Sequence, residues 1–258
     1  NENDPSALSE AKNAEFANMK IFEEFQREVT IMSSLNHPRL IKLEGIVKNP
    51  FGLVLEYMDA GTLYDYLHDP TKKMSWKQRL RWGEDICRGM KFLHKLNIIH
   101  RDLKSPNVLL SHRAGEGSRS RIIAKVSDFG FSCSMSLLEN LQDKVVSNPG
   151  WLAPEILMGK KYSMKADIYA FGVILWELLT RRLYYGELSF AFLVEDAVKS
   201  GKRPDFPPVP PTLQGEGRGV VRAYHKLISL CWGQEESARP SFPQCLQVLK
   251  KLQGVKAV

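Results

Sequence analysis

The chain has 258 residues, with 36 Lys plus Arg against 29 Asp plus Glu, a formal charge of +7. Hydrophobic side chains make up 43% and charged ones 25%, enough apolar surface to build a core, so disorder is excluded as the main state and the length fits one large domain or two small lobes. The basic residues are dispersed rather than gathered in one block, so the excess reads as ordinary surface charge and no nucleic-acid partner is expected.

The longest apolar run, Ala166 to Leu179, is interrupted by Asp167 and Glu177 and falls short of the roughly 20 residues a membrane span needs. Asn1 to Glu10 is polar and acidic, without the basic-then-apolar pattern of a signal peptide. Cys87, Cys133, Cys231 and Cys245 show neither close pairing nor metal-like spacing. A reducing, cytoplasmic setting is the expectation.

In chain order, Asn1 to Asn18 reads as a loop or a frayed helix start. Ile21, Phe22, Phe25, Val29, Met32 and Leu35 then recur at steps of three or four and predict an amphipathic helix of about four turns, closing near His37-Pro38. Leu40 to Val47 and Leu53 to Tyr57, around Lys48-Asn49-Pro50-Phe51-Gly52, predict a strand–turn–strand unit. Trp76, Leu80, Ile86, Met90 and Leu93 mark one face of a long helix ending near Leu96-Asn97. Val108 to Leu110 and Ile122 to Val126 are short strand-like runs, and the polar stretch Ser111 to Arg121 between them reads as a surface loop. Ala166 to Leu179 is apolar nearly all round, as in a helix at the centre of a core. Pro204 to Pro211 is extended, and Tyr224 to Trp232 and Phe242 to Leu252 read as closing helices. This order, one helix, a small sheet and then a mostly helical body, predicts a small lobe on a larger one.

The block richest in chemistry is His100-Arg101-Asp102-Leu103-Lys104-Ser105-Pro106-Asn107, followed by Asp128-Phe129-Gly130 and by Ala153-Pro154-Glu155. The three together, in this order, resemble the protein-kinase signature set. Phosphoryl transfer needs positioning and charge neutralisation more than covalent chemistry. Mg2+ prefers hard oxygen ligands, which Asp128 and the Asn107 amide supply. An incoming hydroxyl needs a proton acceptor, a role suited to Asp102, with Lys104 placing a cation near the transferring group. Glu28 lies on the apolar stripe of the first helix, where a carboxylate needs a cationic partner.

The resemblance covers about residues 20 to 252 and implies a two-lobed α+β kinase fold. Residues 1–55 would form an incomplete small lobe, 56–61 the hinge and 62–258 the large lobe. It implies ATP and Mg2+ as cofactors and a protein serine or threonine as phosphoryl acceptor. Asp102, Lys104 and Asn107 would be catalytic, and Asn107 and Asp128 would hold the metal. Glu28 would pair with a phosphate-binding lysine. Leu55 would guard the pocket behind the adenine, Glu56 and Met58 would offer it backbone groups, and Leu109 would line its site. Arg239, in Arg239-Pro240-Ser241-Phe242, would pair with Glu155. Lys104 looks like serine/threonine kinases, whereas Cys231-Trp232 and the Arg-Pro-Ser-Phe ending look related to tyrosine kinases. The mixture is similar to the tyrosine-kinase-like group, and within it most like Roco or leucine-rich-repeat kinases. Residues 128–155 would be the activation segment, with Ser132, Ser134, Ser136 and Ser147 as candidate phosphorylation sites facing Arg101.

The sequence departs from the family at its start. Nothing upstream of Ile21 resembles the glycine-rich loop or the strand lysine that would pair Glu28, and no glycine precedes Gly45. Either the chain is a piece of a longer kinase with flanking domains, or it lacks those strands and serves as a non-catalytic scaffold. In both cases the chain alone is expected to bind ATP poorly and to be a weak catalyst.

Overall fold

The computed structural model describes residues 19, 22–23, 25–113, 121–130, 132–134, 149–209 and 215–255. The first helix, α1, is described over residues 25–34 and buries Met32, with Leu35 beyond its end. It stops before His37-Pro38, where proline forbids continuation.

The segment that follows differs from the sequence expectation. Leu40 and Ile41 do not open a strand; they are 2% exposed and serve as core residues. Their backbone instead flanks a later strand: the Ile41 N–H donates to the Val126 carbonyl and the Val126 N–H to the Arg39 carbonyl. Arg39 also reaches Asp85 at 2.6 Å. Strands β1 (Leu43–Lys48) and β2 (Phe51–Leu55) then form an antiparallel hairpin with Ile46 opposite Leu53, turning at a cis Asn49-Pro50 bond.

Helix α2 (Leu63–His68) begins at Thr62, whose hydroxyl accepts from the Asp65 N–H. Helix α3 (Trp76–Lys95) is capped the same way by Ser75 and ends at Asn97, which takes the left-handed conformation at φ 57°. Gly89 on α3 lets Arg39 approach: a Cβ there would sit 2.7 Å from the Arg39 carbonyl oxygen. Strand β3 (Ile98–Ile99) pairs with β6 (Cys133–Ser134), and β4 (Val108–Arg113) pairs with β5 (Arg121–Val126) along their whole length. Ser111, His112 and Arg113 are therefore strand residues opposite Ile123, Ile122 and Arg121. The rest of the expected loop, residues 114–120, lies outside the described residues. Gln78 and Trp82 on α3 both donate to the Ile122 carbonyl and dock this hairpin.

Helices α4 (Pro154–Leu157), α5 (Met164–Thr180), α6 (Ala191–Lys199), α7 (Gly215–Cys231) and α8 (Phe242–Gly254) complete the body. Every residue from Ala166 to Leu179 is buried, so α5 is the central element of the core. Two features were missed from sequence. Helix α6 carries Val194, Ala197 and Val198 on one buried face at helical spacing, a signal that was present but short. Helix α7 starts well before Tyr224, although its first turns hold Gly215, Gly217 and Gly219, weak helix formers that packing overrides. Cys231 and Cys245, distant in sequence, come to 3.7 Å between sulfurs, both free and buried. The architecture is α+β, a small part with α1, β1 and β2 on a larger, mainly helical one. Among the described residues no helix is long and apolar enough to cross a membrane.

Candidate active site

His100 to Asn107 runs from β3 into a short 3-10 turn (Ser105–Asn107) ahead of β4. Its backbone is held from below by Asp167 in the first turn of α5. The Asp167 carboxylate accepts the His100 N–H at 2.9 Å and the Arg101 N–H at 3.0 Å, and lies 2.8 Å from His94 Nε2. Burial alone would push this carboxyl up, but the His94 ring and the charge and amide of His100 hold it below the ordinary aspartate range. The clamp sustains a left-handed Arg101 at φ 69°, a conformation that costs a non-glycine residue on the order of 1 kcal/mol or more. The Arg101 guanidinium lies over the Tyr162 ring, 4.7 Å from its centre.

The loop so held brings three of the expected residues together. Lys104 Nζ is 2.6 Å from Asp102 Oδ2, and Asn107 Nδ2 donates to both the Asp102 carbonyl and Oδ2 at 2.9 Å. Because the Asn107 amide nitrogen is engaged, its amide oxygen is the group left to face a metal. Asp102 and Asn107 are both buried, while Lys104 is half-buried.

Asp128 is tied to the same loop through Ser127, whose N–H and hydroxyl both donate to the Asn107 carbonyl at 2.9 Å. His100 Nε2 faces the Ser127 carbonyl at 3.0 Å. Asp128 is left-handed at φ 64°, and the next residue, Phe129, is fully buried against the His100 ring. Glu28 arrives from α1. A Cβ on Gly130 would lie 3.6 Å from Asp128 Oδ1 and 3.8 Å from Glu28 Oε2, ordinary contact distances, so both carboxylates lie beside Gly130. Burial first, and the Asp128 charge second, push the Glu28 carboxyl above the usual range, while the Phe129 N–H opposes them. Among the described residues no lysine or arginine forms an ion pair with Glu28. The Asp128 carboxylate and the Asn107 amide oxygen are hard oxygen donors of the kind a divalent cation prefers.

The expected nucleotide residues lie along β2, β4 and the connection between them. Leu55 ends β2 and is partly exposed, and Met58 is buried. The Ala60 N–H donates to the Leu110 carbonyl and the Leu110 N–H to the Gly61 carbonyl, which sets this connection beside Leu109 on β4. The Glu56 N–H is already used by the Lys42 carbonyl, and its carboxylate accepts from Lys125 at 2.6 Å on each oxygen. The Glu56 carbonyl and the Met58 N–H and carbonyl make no backbone hydrogen bond with other described residues. The side chain of Glu56 is thus a structural anchor.

Glu155, at the start of α4, meets Arg239 in a two-pronged buried pair at 2.6 and 2.7 Å. Of the four candidate serines, Ser132 is fully buried and donates to the His100 carbonyl at 3.3 Å, so it is closed to modification in this arrangement. Ser136 and Ser147 lie outside the described residues, and only the backbone of Ser134 is placed, in β6. Sequence reasoning missed Ser127 and the clamping role of Asp167. An acidic residue inside a helix that is otherwise apolar is the signal that points to Asp167.

A family model described as protein tyrosine and serine/threonine kinase matches residues 11–249. Three relatives from Dictyostelium discoideum are similar over most of the chain. The probable serine/threonine-protein kinase pats1 is 44% identical over 236 residues, 90% of this chain and 7% of its own length. The probable serine/threonine-protein kinase roco6 is 41% identical over 91% of this chain and 11% of its own length. The probable serine/threonine-protein kinase roco8 is 39% identical over 91% of this chain and 12% of its own length. The chain spans about a tenth of the length of these relatives.

Proposed function

The chain belongs to the protein tyrosine and serine/threonine kinase family, and from that premise we propose that the protein it forms transfers the γ-phosphoryl group of ATP to a serine or threonine hydroxyl of a protein substrate. The observation that carries this is the single hydrogen-bonded unit of Asp102, Lys104 and Asn107, linked through Ser127 to Asp128. Asp102 orients the acceptor hydroxyl and takes its proton. Lys104, beside Asp102, directs a cation at the transferred group, and its presence in this loop favours an aliphatic hydroxyl acceptor. Asn107, through its amide oxygen, and Asp128 would hold Mg2+, which supplies charge neutralisation on the phosphate oxygens.

The Glu56 carbonyl and the Met58 N–H offer an acceptor and a donor to an adenine edge, with Leu109 and Leu55 as apolar walls. Glu28 receives the ammonium of a phosphate-binding lysine. Nothing upstream of Ile21 resembles such a strand lysine or a glycine-rich loop, so residues 1–258 on their own should bind nucleotide weakly and transfer slowly. The relatives are about ten times longer, and flanking domains in a longer protein would choose the substrate. The test is phospho-amino-acid analysis after incubating the full-length protein with labelled Mg-ATP and peptide libraries. Label on serine or threonine supports the proposal, and label confined to tyrosine, or none, overturns it.

A further inference from the structure

Three cysteines that phosphoryl transfer does not use lie in the core of the larger part: Cys87 on α3, Cys231 as the last residue of α7 and Cys245 in the first turn of α8. All three are free and none is exposed to solvent. The Cys231 and Cys245 sulfurs face each other across the two helices at 3.7 Å. Cys87 is engaged elsewhere, since its thiol donates to the Phe242 carbonyl at 3.1 Å. Cys231 is backed by α5: a Cβ on Gly172 would sit 2.8 Å from the Cys231 Cβ, so glycine there lets the end of α7 rest directly on the central helix.

A buried cysteine by itself is ordinary packing. Sulfur against sulfur on two different helices is more than packing asks for, and one reaction completes it. A disulfide bond is about 2.05 Å long, so the two sulfurs stand about 1.6 Å from bonding distance. Rotations of roughly 30° about each Cα–Cβ bond span that gap with both helices in place. Burial first, and the neighbouring thiols after it, push the Cys231 thiol well above its ordinary range. Thiolate, the reactive form, is therefore scarce while α7 and α8 are closed on each other. Reaction has to run through local openings of α8, the last helix of the described chain.

We propose that Cys231 and Cys245 are a redox pair that a peroxide closes to a disulfide, latching α8 onto α7. In an opening, one thiolate attacks the O–O bond of the peroxide, takes up an oxygen as sulfenic acid and releases hydroxide, which is protonated to water. On reclosure the second sulfur attacks the sulfenic sulfur, the S–O bond breaks and a second water leaves. Two thiols and one hydrogen peroxide thus give one disulfide and two waters, with two electrons passing from the sulfurs to the peroxide. A thiol reductant reverses the step by exchange. The bond closes a short loop between the two helices and suppresses the openings that allowed it to form. None of this chemistry depends on phosphoryl transfer.

The test exposes the reduced full-length protein to millimolar hydrogen peroxide, unfolds it in an alkylating agent and maps its cysteines by mass spectrometry. Trypsin cuts after Lys226 and Lys250 but not between Arg239 and Pro240, so both cysteines fall in one peptide, 227–250. The expected product is that peptide unalkylated and two hydrogens lighter, with its halves still joined after cleavage at Glu235, while Cys87 remains an alkylatable thiol. Cys231 and Cys245 both recovered as alkylated thiols or as sulfinic or sulfonic acids, or a disulfide that includes Cys87, overturn the pair. The latch is read by hydrogen exchange of the α8 amides. Oxidation should slow it by at least about tenfold, and dithiothreitol should restore it. Peroxide should leave exchange unchanged in Cys245→Ala and in Cys231→Ala, two variants so that one failing to fold does not end the test. Exchange in oxidised wild type that is no slower than in the reduced protein, or slowing that persists in either variant, overturns the latch.

Discussion

Raising the pH should strip the wild-type protein of stability that a Glu177→Gln variant retains. The carboxyl of Glu177 ionises near 4.5 when exposed and near 8 in the folded protein, because burial outweighs the donors Ser105 and Trp151. Between those values the folded state holds one proton that the unfolded state releases. The stabilising contribution is complete below about 4.5, declines as pH rises and is gone above about 8. Each pH unit in that window is worth about 1.4 kcal/mol, so the whole span is worth on the order of 5 kcal/mol at most. Other groups titrate as well, but they are shared by both proteins, so the difference isolates Glu177. From pH 5.5 to 7.5 the gap in unfolding free energy should move by roughly 2–3 kcal/mol in favour of Gln. Against a urea dependence of about 3 kcal/mol per M, that is a relative midpoint shift near 1 M. Urea titrations of both proteins at five pH values would show it. A gap that stays constant from pH 5 to 9 would refute the claim that this carboxyl is buried in the protonated form at neutral pH.

Other consequences follow from the packing. Arg239→Ala strands the Glu155 carboxylate and also removes the donors to the Gly233 and Lys165 carbonyls. It should cost about 3–5 kcal/mol, lowering Tm by roughly 10 °C in calorimetry, and a change under about 2 °C would contradict the assignment. Gly89→Ala drives a methyl into the Arg39 carbonyl. It should cost about 1–3 kcal/mol and speed hydrogen exchange at the Val126 N–H, whose acceptor that carbonyl is. Asp128→Asn in the full-length protein should abolish the thermal stabilisation given by Mg-ATP while leaving the unliganded Tm within about 2 °C.

Much of this site was legible because its chemistry is local in sequence. His100 to Asn107 and Asp128 to Gly130 are short runs that resemble the protein-kinase signature, and Ala166 to Leu179 declares itself as a core helix by being apolar on nearly every face. What escaped depends on contacts distant along the chain. Nothing in Ser105, Trp151 and Glu177 taken singly shows that they meet, and the approach of Cys231 to Cys245 follows from how α7 packs on α8. Leu40 and Ile41 were read as strand because a short apolar run has the same pattern in a strand and in a core-packed connection. The glycines of α7 hide about two and a half turns that tertiary burial stabilises.

The central claim is that Asp102, held by Asn107 and Lys104, accepts the proton of the attacking hydroxyl. Its most direct test is the single-turnover rate of γ-phosphoryl transfer to a serine peptide by the full-length protein and its Asp102→Asn variant, with Mg-ATP affinity measured on both. The account predicts a rate lower by at least about 100-fold with nucleotide affinity within about threefold. Transfer by the variant at the wild-type rate would contradict it.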